Sequence, residues 1–294
     1  MKLKRLAALL LALALLCTMA ACNTEAPGTD GGAAPDTGDG ASLTPTEIVA
    51  SAMEKMAALK SMDAVMEMEM ELSDGEDSLA ITTTMDMTTF TDPIKLHVEM
   101  NMDMGELGAM DMSFYAQGEG DVYTMYVYDG ANWVAQSVTL ADLEQYNAQD
   151  SMELYLNGAV DFIAAGTEEL TGGAADKYTG VIRGESLKKL LEDGSALDSL
   201  TSALGSDAAS VEDLLQDLGE LSITVWIDQA SGHMVRFGMD MSDVMNKIAN
   251  KVSAELGEGE EINLSIPALT ITMTYANFDA ATDFTIPEEA LNAA

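Results

Sequence analysis

The sequence predicts an α+β protein whose main element is an antiparallel β-sheet with one apolar face. Three observations indicate this class. Apolar and acidic residues alternate with a period of two in several segments, turn residues separate these segments at regular intervals, and stretches with helical spacing precede and follow them. With 294 residues and 48% hydrophobic content, the chain can bury a substantial core.

The first 21 residues have the layout of a secretory signal. A basic start is followed by the apolar run Leu6–Leu16, which is too short to span a bilayer as a permanent helix. The ending Met19-Ala20-Ala21-Cys22 resembles a bacterial lipobox, which implies that Cys22 is acylated and becomes the first residue of the mature protein. The sequence therefore predicts a lipoprotein signal peptide over residues 1–21 and a membrane anchor at Cys22.

The segment after the anchor is a predicted tether. Residues 22–42 are rich in Gly, Ala, Pro, Thr and Asp and contain almost no large apolar side chains. No cysteine follows Cys22, so the folded part has no disulfide, no thiolate nucleophile and no cysteine zinc site. We expect one folded domain over residues 43–294.

The folded domain begins with a strong helix signal. Thr44 supplies an N-cap hydroxyl, Pro45 suits the first helical position, and Glu47 completes a capping box. The apolar residues that follow, among them Val49 and Met56, form one stripe at helical spacing. This helix must therefore pack on another element.

An antiparallel meander is predicted next. Segments with a period of two are separated by turn chemistry such as Asp92-Pro93 and Asp129-Gly130. One face of this sheet is apolar and the other is solvated. The alternating segments are Met62–Leu72, Leu79–Met87, Ile94–Met104 and Met110–Phe114.

The second half mixes helices and strands. Residues 139–165 have helical spacing with a break near 147–150, a strand follows at Asp176–Ile182, and residues 185–218 suggest short helices. Strands return at Leu221–Ile227 and Val235–Met241. A helix is then predicted over residues 242–256, before a last strand.

The last strand changes its apolar phase. Its apolar positions are even from Ile262 to Ile266 and odd from Leu269 to Tyr275, with Pro267 at the change. An extra residue in one strand of a pair produces such a shift. The sequence therefore predicts a β-bulge at Pro267.

Charge and motifs exclude several functions. A net charge of −37, or about −40 without the basic signal peptide, repels nucleic acid and anionic lipid headgroups. The chain contains no nucleophile elbow, phosphate loop, dinucleotide fingerprint or zinc-protease motif, and its acidic residues occupy solvated strand positions. We expect no catalysis, no cofactor and no nucleic-acid partner.

The order of elements carries a resemblance to a known family. The initial helix, the long meander, the helical middle, the hairpin Val225–Val235 and the closing motifs Thr274–Phe278 and Phe284–Pro287 resemble bacterial lipoproteins of the LolA and LppX type. The likeness is greatest to an uncharacterised Gram-positive branch of Met-rich acidic lipoproteins. It implies a strongly curved, half-open antiparallel sheet, a half-barrel, with helices packed on its concave apolar face. Family members hold acyl chains there and have no catalytic residues.

Of the 22 methionines, 20 follow the predicted signal peptide, and these admit three interpretations. They fill the core beneath the helices, they form an adaptable floor for an apolar ligand, or their thioethers bind a cuprous ion. The spacing along one strand argues against the metal, because side chains two residues apart are rooted roughly 6.6 Å apart, and we assign no metal ligand. The candidate ligand-binding residues are Met66, Met68, Met70, Met85, Met87, Met100, Met102, Met110, Met112, Phe114, Met239 and Met241.

The favoured function is binding of a lipid or lipoprotein acyl chain by a monomeric lipoprotein on the outer face of a Gram-positive cell membrane. A structural or protein-interaction lipoprotein with a closed core is the first alternative. Binding of a cuprous ion is the second.

Overall fold

The computed structural model describes residues 43–73, 75, 77–119, 122–128, 130–139, 155–193, 216–255 and 265–293. The strands are β1 Ser61–Ser73, β2 Ser78–Thr91, β3 Ile94–Asp103, β4 Ala109–Glu119, β5 Val122–Tyr128, β6 Trp133–Val138, β7 Ala159–Leu170, β8 Gly173–Arg183, β9 Glu220–Asp228, β10 Met234–Asp240 and β11 Ser265–Ala276. The helices are α1 Pro45–Ala57, α2 Gly184–Asp193, α3 Ser242–Glu255 and α4 Glu288–Leu291, with a 3-10 turn at Gly105–Leu107.

The eleven strands of the described residues form one antiparallel sheet in the order β6-β5-β4-β3-β2-β1-β11-β10-β9-β8-β7. From β1 at the centre, β2 to β6 follow one another outward to one edge of the sheet. From β7 at the other edge, β8 to β11 follow one another inward, and β11 pairs with β1. The sheet is open, since β6 and β7 form its two edges. The predicted α+β class and antiparallel meander are confirmed, whereas the half-barrel curvature stays a prediction.

Helix α1 begins as its sequence predicts. The Thr44 hydroxyl accepts from the Glu47 backbone amide at 3.3 Å, and the Glu47 carboxylate accepts from the Thr44 amide at 2.7 Å. These reciprocal bonds satisfy two amides that a helix start otherwise leaves open. The buried residues of the helix, Val49, Ala52 and Met56, belong to the main core.

The main core lies on the apolar face of the sheet. In β1 the even positions from Met62 to Leu72 are buried, while Glu67 and Glu69 on the opposite face are exposed. Buried residues of α2 and α3, such as Leu187 and Ile248, join the same core. A period of two in the sequence thus becomes one buried face and one wet face.

The predicted bulge at Pro267 is confirmed. Glu71 pairs with Ala268 and Ser73 pairs with Ser265, so two steps along β1 match three along β11. The extra residue moves the buried phase of β11 from Ile266 to Leu269. The chain therefore keeps apolar side chains inward on both sides of the proline.

The prediction of a helix up to residue 165 is wrong for its last part, because Ala159–Leu170 is strand β7. The register against β8 shifts between Val160 and Ile163 and again between Ala164 and Thr167. These two register shifts interrupt the alternation of apolar and polar residues, so the spacing of the apolar residues resembles that of a helix. Residues 140–154 lie outside the described part of the chain.

The predicted short helices over residues 185–218 are borne out only by α2. Residues 194–215 lie outside the described part, and residues 216–219 are turn and coil. The first half of the sheet also extends beyond the predicted alternating segments, because β6 runs from Trp133 to Val138.

The C-terminal segment after β11 crosses the opposite face of the sheet. Ile286 and Ala290 are buried there against Tyr115, and Phe284 and Trp133 complete this cluster. The segment is held near β3 by an ion pair between Lys95 and Asp283.

This segment also covers part of His97, an odd-numbered residue of β3 whose place in the alternation predicts a side chain that faces water. His97 does lie on the face opposite the methionines, because it pairs with Tyr115 and Thr88. Its ring stacks on Tyr115 at 4.2 Å and contacts Phe284 at 5.4 Å, so only 22% of the side chain is exposed.

Candidate functional site

Strand register brings five methionines into one line across the sheet. Met273 of β11 pairs with Met66 of β1, Met66 with Met85 of β2, Met85 with Met100 of β3, and Met100 with Met112 of β4. We call these five residues the methionine row. Because neighbouring strands lie about 4.8 Å apart, the row extends roughly 19 Å across the strands.

Two further rows flank the methionine row. On one side lie Tyr275, Ala64, Met87, Val98 and Phe114, paired strand by strand in the same way. On the other side lie Ile271, Met68, Thr83, Met102 and Met110. The three rows together form a nearly continuous apolar surface in which most side chains are unbranched thioethers.

The remaining candidates extend this surface. Met70 pairs with Ile81 and Leu269, and Met239 pairs with Ile271. Met241 follows β10, and its amide donates to the Leu269 carbonyl at 2.8 Å. Eleven of the twelve residues singled out from the sequence therefore lie on one side of one sheet, and Met241 directly follows it.

Most of these residues are withdrawn from water. Met66, Met68, Met70, Met85, Met87, Met100, Met102, Met239 and Met241 are between 1% and 8% exposed. Met110, Met112 and Phe114 are half-buried and pack against the same core. Their role as ligand contacts stays a prediction, since burial alone also fits a closed core.

Three of the four described helices pack mainly on the second half of the sheet, strands β7 to β11. Helix α1 packs mainly on β7, β9 and β10, α2 on β8 and β9, and α3 on β11 and β9. Four of the five residues of the methionine row lie on β1–β4. The row is thus carried mostly by the half of the sheet on which these three helices do not chiefly pack.

Two hydroxyl groups lie within the apolar surface. Thr83 is 1% exposed, and its Oγ1 has no hydrogen-bond partner in the described part of the chain. The Tyr275 hydroxyl is buried and donates to the Met273 sulfur at 3.3 Å. A thioether sulfur is a weak acceptor. Neither residue is among the twelve candidates that the sequence pattern indicates. The signal for Thr83 was a polar residue at a position where the alternation of β2 requires an apolar one.

Burial raises the pKa of Tyr275, which makes stability fall in alkaline solution. Above the ordinary tyrosine pKa of about 10, the unfolded chain loses this proton and the folded protein retains it. The free energy of unfolding then falls by up to about 1.4 kcal/mol per pH unit from this group. We expect Tyr275→Phe to remove that contribution in urea unfolding series between pH 8 and pH 11. An unchanged alkaline slope would contradict the burial of this hydroxyl.

The His, Cys, Asp and Glu side chains of the described residues do not form a metal site. None of their His, Cys, Asp and Glu side chains form a group of three or more that could hold a metal ion. His97 lies on the opposite face beside Glu99 at 2.9 Å, and His233 stacks on Phe278 at 4.6 Å. The apolar surface is suited to contact with apolar groups. Among the described helices, none has the length and hydropathy needed to cross a membrane.

Sequence comparison matches part of the chain to one family. Residues 44–165 match DUF6612, described as a family of unknown function. This segment covers α1, strands β1 to β6 and the start of β7, and it includes four residues of the methionine row. No curated protein matches the chain.

Comparison of folds finds solved structures similar to this chain, and lipoproteins of the LolA and LppX type are among them. The lipoprotein LppX of Mycobacterium tuberculosis is similar with a TM-score of 0.45 and 16% identity, over 81% of this chain and 97% of that one. LprF of Mycobacterium bovis gives 0.44 and 16%, over 84% and 97%. A LolA superfamily protein of Nitrosomonas europaea gives 0.21 and 8%, over 84% and 96%.

Proposed function

We propose that this chain is a membrane-anchored extracytoplasmic lipoprotein that binds one acyl chain on its methionine-rich face, without catalysis. The observation that supports this function best is the methionine row, in which five unbranched side chains from five adjacent strands stand in register. In the proposed half-barrel this face is concave, and α1 to α3 cover part of it.

The physical basis is transfer of apolar surface out of water. Each methylene buried in such a surface contributes about 0.8 kcal/mol, so a long acyl chain supplies ample driving force. Methionine suits this task because its flexible, polarizable thioether adapts to irregular partners. A Leu or Val surface would pack its own helices equally well but would adapt less to a guest.

The proposed anchor places the domain near a membrane. Acylated Cys22 would hold the protein on the outer face of a Gram-positive membrane, and the tether 22–42 would give a mean reach of roughly 25 Å. Residues 1–42 lie outside the described part of the chain.

We expect Cys22→Ser to move the protein from the membrane fraction to the soluble fraction of cells. Retention of the variant in the membrane fraction would count against the anchor.

Two alternatives have observations in their favour. The low exposure of Met66, Met68 and Met85 favours a structural or interaction lipoprotein whose core is closed. The cross-strand register of the methionines favours cuprous binding, because thioethers from neighbouring strands are rooted closer together than those along one strand. Titration with cuprous ion against a competing chelator decides the second alternative, which requires stoichiometric uptake.

Binding of neutral esters tests the proposed function. The mature protein is titrated with a fluorescent fatty-acid ester, and straight-chain methyl esters of increasing length compete with it. We expect one saturable site and an affinity that rises about fourfold with each added methylene, up to a limiting length. The absence of saturable binding, or an affinity independent of chain length, would contradict the proposal.

A further inference from the structure

We propose that the Thr83 hydroxyl hydrogen-bonds the polar group of the bound molecule, so that the ligand is a neutral acyl ester or amide rather than a plain hydrocarbon. This inference rests on the proposed function, since it names the ligand class for the same face of the sheet.

The hydroxyl of Thr83 lies among apolar side chains of the sheet. It pairs with Met68 on one side and with Met102 on the other. Ile81 and Met85, two residues away along β2, point to the same face. Thr83 is 1% exposed, so the hydroxyl is surrounded by apolar side chains and hidden from water.

The hydroxyl has no hydrogen-bond partner among the residues that the structure describes. A buried polar group without a partner destabilises a fold, and most such groups in native proteins are paired. Valine has nearly the same shape and is a strong strand former, so neither packing nor strand propensity calls for a hydroxyl here. An unpaired hydroxyl in an apolar binding surface is explained if a ligand supplies its partner.

The surroundings select the chemistry of that partner. A threonine hydroxyl offers one donor and two acceptor sites, which suit a carbonyl oxygen or an amide. A free carboxylate fits poorly, because one neutral hydroxyl does not compensate the burial of a charge and the protein itself carries a net charge of −37. A neutral ester or amide at the head of an acyl chain meets both conditions.

The test compares Thr83→Val with Thr84→Val. Thr84 is the next residue of β2, lies on the opposite face and pairs with Glu67 and Asn101, so the same exchange there leaves the apolar surface unchanged. Both variants and the wild type are titrated with hexadecanoic acid methyl ester, with hexadecane and with the free acid. Urea unfolding of the ligand-free proteins is measured in parallel.

We expect Thr83→Val to weaken ester binding about three- to tenfold, the range of one hydrogen bond, while hexadecane binding stays the same or improves. Thr84→Val should change neither affinity. The free acid should bind the wild type more weakly than the ester. Ligand-free Thr83→Val should be at least as stable as the wild type, because it removes an unpaired hydroxyl.

The outcomes separate this inference from the proposed function. Wild-type protein that binds neither ester nor hydrocarbon contradicts the proposed function itself. If both bind but Thr83→Val leaves their ratio unchanged, or weakens both equally, the ligand class is wrong and the apolar site remains. A loss of stability in ligand-free Thr83→Val would show that the hydroxyl has a structural partner, which also overturns the inference.

Discussion

Replacing Met85 with aspartate is expected to remove about 3–5 kcal/mol from the free energy of unfolding. Met85 is 6% exposed and lies in the middle of the methionine row, between Met66 and Met100. A carboxylate at this position has only thioethers as neighbours in register, so it has neither a counter-ion nor water to replace its hydration. Urea unfolding monitored by tryptophan fluorescence measures the loss.

The reverse exchange one residue further along is the matched control. Asp86 is exposed on the opposite face and pairs with Glu99, so Asp86→Met removes a charge that faces a like charge. We expect a change within about 0.5 kcal/mol. Equal effects at the two positions would show that β2 does not present one dry face and one wet face.

Truncating Phe237 to alanine is expected to cost about 3 kcal/mol, the lower end of the range of about 3–5 for a buried aromatic residue. Phe237 is 1% exposed, pairs with Met273 and therefore prolongs the methionine row. The cost depends on how far neighbouring side chains collapse into the cavity. Methionine has three rotatable bonds and fills such gaps better than branched residues.

Phe237→Leu serves as the control, since it keeps most of the volume and should cost about 1.5 kcal/mol or less. Urea unfolding gives both values, and a crystal structure of Phe237→Ala shows whether methionine side chains move into the space. A loss near 5 kcal/mol with an unfilled cavity would show that the thioethers do not adapt. A rigid surface of this kind would contradict the proposed adaptable binding face.

Much of the fold could be predicted because the alternation, the turn residues and the helix cap in the sequence all indicate the same structure. The alternation in β1 and β3 specifies which side chains face inward, and the turn residues between them specify antiparallel hairpins. The capping box at Thr44 and the phase change at Pro267 each have a local cause, so single residues were sufficient to predict them.

The errors arose where local pattern and long-range pairing disagree. The two register shifts of β7 hide its period of two, and only the pairing with β8 identifies it as a strand. The path of the C-terminal segment depends on contacts of Phe284 and Ile286 with residues more than 150 positions earlier. No local spacing encodes such contacts.

The candidate site could be predicted as a set of residues but not as an arrangement. Alternation identified the methionines, yet the row itself requires the register between strands, which is fixed by hairpin geometry and by the pairing of β1 with β11. Thr83 was overlooked because a lone polar residue in an apolar phase is also what an ordinary strand contains. Its importance follows only from its burial without a partner.

The most direct test of the central claim is organic extraction of the protein purified from its native membrane, followed by mass spectrometry of the extract. We predict about one neutral acyl-chain lipid per protein molecule, and none with Met85→Asp protein prepared in the same way. Folded wild-type protein that yields no lipid would mean that the methionine face is a closed core, and the binding function would be contradicted.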